Sequence, residues 1–137
     1  MKIINQISAG GIVFKDNLWL ICQHSQHKGW VFPKGFVGDV NKNESNETAA
    51  LREVEEEGGV KAKIVNPKPI ISKYEHQDGV TLYKKTVYYF LMEYLSGDPK
   101  DHDWEMMDAK FVAEDEVKKT LTYPSDIQAF AKVLQRL

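Results

Sequence analysis

Residues 51–60 read LREVEEEGGV. Four acids, Glu53, Glu55, Glu56 and Glu57, run into the pair Gly58-Gly59, a helix stop. The preceding NETAAL, residues 46–51, supplies helix formers, and Ser45 before it is the candidate N-cap. The acids therefore crowd the C-terminal turns of a helix. The macrodipole is negative there, and each exposed carboxylate costs roughly 0.3–1 kcal/mol. Like charges three and four residues apart repel one another as well. Something outside the helix has to offset these charges.

At about 100° per residue, Glu53, Glu56 and Glu57 fall within an arc of about 100°. Ala50, Leu51 and Val54 occupy the neighbouring arc and are expected to pack on a sheet, while Glu55 points away from both. Arg52, four residues before Glu56, is placed to pair with it. Three readings stand: a solvated acidic face, a salt-bridge network with Arg52, or a divalent-cation site. Hard cations such as Mg²⁺ take carboxylate oxygens together with water and substrate phosphates. A local rule broken at one place marks a candidate functional site.

Outward from the helix, the chain reads as strands. ISAGGIVFKDNLWLICQHS, residues 7–25, has two apolar β-rich runs around the turn cluster Lys15-Asp16-Asn17, a hairpin pattern. Residues 30–32 form a short strand, followed by a loop rich in Gly, Asn and Asp. Residues 60–77 are extended and interrupted by Pro67 and Pro69. Asp78-Gly79 is a hairpin turn ahead of the long strand VTLYKKTVYYFLMEYL. A polar loop, GDPKDHDWEMMD, precedes a short strand AKFV. Two helices close the chain, the second amphipathic through Ile127, Phe130, Val133, Leu134 and Leu137. The expected fold is α/β, an α/β/α sandwich with a mixed sheet between helices, in a single domain over residues 1–137.

Composition narrows the function. With 137 residues, 42% hydrophobic and net charge −2, the chain has enough apolar material for one core and no bulk basic surface for nucleic acid. The single cysteine, Cys22, lies in an apolar run, excludes an intrachain disulfide and fits a reducing compartment. No segment approaches a membrane span, and the first residues lack a signal-peptide core. The expectation is a cytoplasmic protein with no nucleic-acid or membrane partner, a monomer or weak dimer.

Residues 38–60 read G-x5-E-x7-R-E-V-x-E-E-x-G-V. This resembles the complete Nudix box of the Nudix hydrolases, filled at Gly38, Glu44, Arg52, Glu53, Val54, Glu56, Glu57, Gly59 and Val60. The resemblance implies hydrolysis of a nucleoside diphosphate linked to another group, with Mg²⁺ or Mn²⁺ as cofactor. It implies that Glu53 and Glu57, helped by Glu56, hold the metal, and that Glu44 and Arg52 orient the glutamates. The base that deprotonates water would be Glu53 or a residue on a distant loop. One departure stands upstream. In WVFPKG the Gly of Pro33-Lys34-Gly35 lies nine residues before Glu44 rather than six. A three-residue insertion explains this, with Gly35 the structural counterpart and Gly38 satisfying the pattern. The carbonyl of Lys34 or Gly35 then becomes the further metal ligand, and Asp39 substitutes for the loop's usual acid.

Looser similarity to bacterial diadenosine tetraphosphate hydrolases covers nearly the whole chain, through SAGGIVF, WVFPKG, YKKTVYYFLMEY, WEMMDAKFV and LTYPSDIQAF. It implies cleavage to ATP and AMP. Related enzymes of (deoxy)nucleoside triphosphates or diphosphoinositol polyphosphates share this frame, and a non-catalytic nucleotide sensor is the alternative outside enzymes. The similarity gives Lys85 and Lys34 phosphate-binding roles, against a solubility role on exposed strands. Tyr123 matches an adenine-stacking tyrosine, against simple packing, and Tyr74 and Tyr83 are weaker candidates. Glu105 matches the distant-loop glutamate that binds metal or acts as base, against a surface acid. The four histidines, His24, His27, His76 and His102, lack zinc-site spacing.

Overall fold

The computed structural model describes residues 1–38 and 42–137. Eight strands run β1 (Lys2–Lys15), β2 (Leu18–His24), β3 (Trp30–Val31), β4 (Lys34–Phe36), β5 (Val60–Ile64), β6 (Ile70–Asp78), β7 (Thr81–Gly97) and β8 (Met106–Ala113). Three helices, α1 (Asn46–Gly58), α2 (Glu114–Thr120) and α3 (Pro124–Gln135), complete the fold, with a 3₁₀ turn at Pro99–Asp101. All strands join one mixed sheet of order β3-β2-β1-β7-β5, with β4 against β1, β6 against β7 and β8 against β2. Among the described residues the one parallel pairing is central: β1 follows β7 from Lys2↔Thr81 to Phe14↔Glu93.

Period-2 alternation sorts the strand side chains onto two faces. Ala9 and Val13, Leu20 and Cys22, and Phe90 and Met92 pack with Ala49, Ala50 and Val54 of α1. Ile12, Trp19, Ile21, Val87 and Tyr89 pack on the other face with Val117, Ala129, Phe130 and Val133 of α2 and α3. This is the expected α/β/α sandwich, and Cys22 is buried as expected. No helix among the described residues is long and apolar enough to cross a membrane.

The turns follow their chemistry. Asp16 takes a left-handed φ of 54° between paired Lys15 and Leu18, and Gly79, at φ 60°, turns β6 into β7. Four expectations need correction. Residues 34–36, read as loop, form β4, because Ser8, Ala9 and Gly10 of β1 pair with them. The last strand starts at Met106 rather than 109, since β2 offers partners up to His24. Leu51 is exposed, and Ala49 takes its place against the sheet beside Ala50 and Val54. Ile127 and Leu137 are exposed as well: Asp126, Ala129, Phe130 and Val133 line the buried face of α3, one helical step away from Ile127, and the helix ends before Leu137.

Candidate active site

Helix α1 begins where Ser45 Oγ accepts from the Thr48 N–H at 3.1 Å. It ends at Gly59, whose left-handed φ of 74° lets its N–H reach the Glu55 carbonyl at 3.0 Å. Its buried residues are Ala49, Ala50, Glu53, Val54, Glu57 and Gly58. The phase that packs Val54 on the sheet thus also draws Glu53 and Glu57 inward, each only 5% exposed. Glu56 stays half-exposed, and Glu55 faces solvent as expected.

Arg52 is the hub of the acids. Its Nε and Nη2 donate to the two carboxylate oxygens of Glu44 at 2.8 and 2.9 Å. Its Nη1 donates to Glu53 Oε1 at 2.7 Å and to Glu56 Oε2 at 3.2 Å. This bidentate grip raises the Arg52 pKa and lowers that of Glu44. The expected pairing of Arg52 with Glu56 is present, and it is the longest of the three. Gly38, at φ 82°, donates its N–H to Glu44 Oε1 at 3.2 Å.

Strand β4 meets this cluster edge-on. Gly11 N–H donates to the Pro33 carbonyl and Val37 N–H to that of Ile7, so alternate residues turn their main-chain groups toward β1. Lys34 turns away from β1, and its N–H donates to Glu57 Oε1 at 3.1 Å. A Cβ at Gly35 would collide with the Glu53 carboxylate in this arrangement, so any side chain there would force Glu53 to move. The two glycines of the motif divide the work: Gly35 admits Glu53, and Gly38 makes the turn that holds Glu44. Asp39 lies outside the described residues.

Burial is the largest force on the two inner acids. It pushes Glu57 up to about 9, with Glu53, Glu105 and Asp103 adding to the rise. It pushes Glu53 up to about 7, with Glu56 adding to the rise and Arg52 opposing it. Glu105 lies on a tight turn from Asp103 to Met106, which Asp103 ties to the end of α1. Asp103 carries no expectation from the sequence, yet its N–H donates to the Glu56 carbonyl at 2.7 Å and its Oδ1 accepts from the Glu105 N–H. In the sequence it is one more acid in a polar loop, and nothing local distinguishes it.

Of the remaining expected residues, Lys34 and Lys85 gather at Tyr74. The Lys34 ammonium donates to the Tyr74 hydroxyl at 3.1 Å, and Lys85 lies 5.8 Å from the same ring's centroid. Tyr74 packs with the α3 face of the sheet, whereas α1 lies on the other, so Lys34 joins the two sides. Tyr123 has other partners: its hydroxyl lies 3.0 Å from His27 Nδ1, and His27 stacks on His24 with centroids 4.3 Å apart. Burial lowers the His27 pKa, helped by His24 and Lys34. Tyr83 stacks on His76. Two buried partners went unread: the Tyr89 hydroxyl donates to Asp126 Oδ1 at 2.7 Å. Helical phase marks Asp126, three and four residues before buried Ala129 and Phe130.

The donor set suits a hard divalent cation, being carboxylates gathered where β4 meets the end of α1. Among the described residues no three acidic, His or Cys side chains converge as a metal cage, and Glu53 and Glu56 are paired with Arg52 instead.

The model of the NUDIX domain family matches residues 4–133. Over 147 aligned positions, the whole chain is 28% identical to the protein MutT4 of Mycobacterium tuberculosis (strain CDC 1551 / Oshkosh), and it spans 57% of that protein's length. The E. coli dihydroneopterin triphosphate pyrophosphohydrolase superposes with a TM-score of 0.72 at 16% identity, covering 98% of this chain and 99% of the other. The C. elegans Ap4A hydrolase binary complex superposes at 0.65 with 22% identity, covering 96% and 99%. At these identities the structural likeness concerns the fold.

Proposed function

The chain belongs to the NUDIX domain family, and on that premise we propose that it hydrolyses a nucleoside polyphosphate, with Mg²⁺ or Mn²⁺ as cofactor. The observation that carries this reading is Glu57. Among the described residues it is a buried carboxylate with no ion-pair partner, beside a second buried carboxylate that shares one guanidinium with two other acids. A purely structural network would match these charges from within the protein; a cation would complete them.

Glu53, Glu56, Glu57 and Glu105, with the carbonyl of Lys34 or Gly35, would hold the metal. When bound, it supplies Lewis acidity that activates water and offsets charge on the attacking and leaving oxygens. The protein's own groups do the rest. Arg52 orients Glu53 and Glu56. Glu53 or Glu105 takes the proton of the water attacking phosphorus. Lys34 and Lys85 stabilise charge developing on the phosphate oxygens, with Tyr74 holding Lys34 in place.

The proposed substrate is diadenosine tetraphosphate, cleaved asymmetrically to ATP and AMP, with Tyr123 stacking on one adenine. Support comes from Tyr123 itself, which is 38% exposed and whose hydroxyl is held against His27. The test is product analysis across dinucleoside polyphosphates, dNTPs and ADP-ribose, with Mg²⁺ and with EDTA. ATP plus AMP, abolished by EDTA, is the expected result. Preference for dNTPs over every dinucleotide would replace the substrate and leave the chemistry. No turnover of any compound would turn the domain into a nucleotide sensor.

A further inference from the structure

We propose that Trp104 is a nucleobase-stacking residue at the rim of the acidic cluster, a binding site separate from Tyr123. Trp104 is 84% exposed, although large aromatic side chains are normally kept largely from water. Its main chain is held on both sides. Asp103 N–H donates to the Glu56 carbonyl at 2.7 Å. The Glu105 carbonyl accepts from both Ser25 N–H and Ser25 Oγ, at 2.9 and 2.8 Å. Met106 N–H closes the turn on the Asp103 carbonyl at 3.3 Å. A clamped turn thus presents an indole beside Glu105, one of the charges that bear on Glu53 and Glu57.

The surroundings select the ligand. Asp101, Asp103 and Glu105 flank Trp104 in the chain, so a phosphate is repelled at this spot, whereas an uncharged flat ring is not. Stacking on an indole accepts any base, because every base has a π-face. Ser25, bonded to Glu105, directly follows His24 at the end of β2, so the turn is anchored to the sheet as well as to α1. A substrate whose phosphates lie at the acids and whose two bases leave in different directions meets Tyr123 with one and Trp104 with the other. The inference rests on the reading above for the place of the phosphates and for the second base, while stacking of a single base on Trp104 does not.

Intrinsic fluorescence separates the two ideas, since Trp19 is buried and Trp30 partly covered. Wild type, Trp104→Phe and Trp104→Ala are titrated with adenosine, ribose and tetramethylammonium in EDTA, by fluorescence and by calorimetry. Adenosine should quench wild type, ribose and tetramethylammonium should not, and Trp104→Phe should lose the quenching but keep calorimetric affinity. Trp104→Ala should lose affinity by roughly 5-fold or more, the scale of one stacked base. With diadenosine tetraphosphate and Mg²⁺ it should raise KM with kcat unchanged. Equal adenosine affinity in Trp104→Ala, or equal quenching by tetramethylammonium, overturns the site. Quenching by adenosine in a protein that hydrolyses nothing keeps the site and sinks the hydrolase reading; turnover with KM unchanged in Trp104→Ala does the reverse.

Discussion

The main-chain N–H of Lys34 donates to Glu57 Oε1 at 3.1 Å, so strand β4 and the last turn of α1 meet at a single carboxylate. That bond stabilises the ionised form, yet burial outweighs it and the Glu57 pKa stands at about 9. The metal-free fold therefore carries an acid it would rather keep protonated.

A dependence of stability on pH follows. Below pH 4.5, the ordinary value, Glu53 and Glu57 are neutral in both folded and unfolded chains. Above it the unfolded chain releases protons that the folded chain retains, up to about 7 for Glu53 and about 9 for Glu57. The unfolded state then binds fewer protons, so their contribution to stability falls as pH rises. In EDTA the melting temperature should be higher at pH 5 than at pH 8, and Mg²⁺ should raise it most at pH 8. A melting temperature in EDTA that climbs from pH 5 to pH 8 contradicts the burial argument.

Glu57→Gln keeps the shape and removes the charge. It should cut kcat by roughly 10³-fold, on the scale of losing a preorganised electrostatic group. In EDTA it should raise the melting temperature at pH 8 and flatten its pH slope. Glu55→Gln is the control, since that side chain is exposed, and its kcat should stay within about twofold of wild type. Comparable losses in both variants would mean that the acids act through net charge rather than position.

Arg52→Lys should behave as a loss, not a conservative change. A lysine cannot bind both oxygens of Glu44 while reaching Glu53 and Glu56. Stability should fall by about 1–3 kcal/mol, the cost of leaving buried acceptors without a donor. Denaturant unfolding measures it, and an unchanged midpoint would show that the guanidinium network contributes nothing to the fold.

Tyr123→Ala and Lys85→Ala should part company in kinetics. Stacking far from the reacting phosphorus acts alike in ground and transition states, so Tyr123→Ala should raise KM with little change in kcat. The Lys85 ammonium would act on oxygens whose charge changes during reaction, so kcat should fall as well. A Tyr123→Ala enzyme with wild-type KM would leave the tyrosine as packing against His27.

What the sequence determined by itself is local. Ser45 and Gly59 bound the helix, Asp16 and Gly79 turn the hairpins, and alternation assigns faces along β1, β2 and β7, because caps, turns and period 2 act between near neighbours. The spacing from Gly38 to Val60 carried the acidic cluster for the same reason, being a pattern within one segment. Periodicity places Ala50 and Val54 of α1 and Phe130 and Val133 of α3 against the sheet, and only the tertiary structure decided the final rotation of each helix about that side. A shift of one helical step exposes Leu51 and Ile127 and buries Glu53, Glu57 and Asp126. It also decided the meeting of residues far apart in the chain: β1 beside β7, Gly35 against Glu53, and Asp103 under Glu56. Such contacts depend on how long loops close and how faces pack, and no local propensity encodes either.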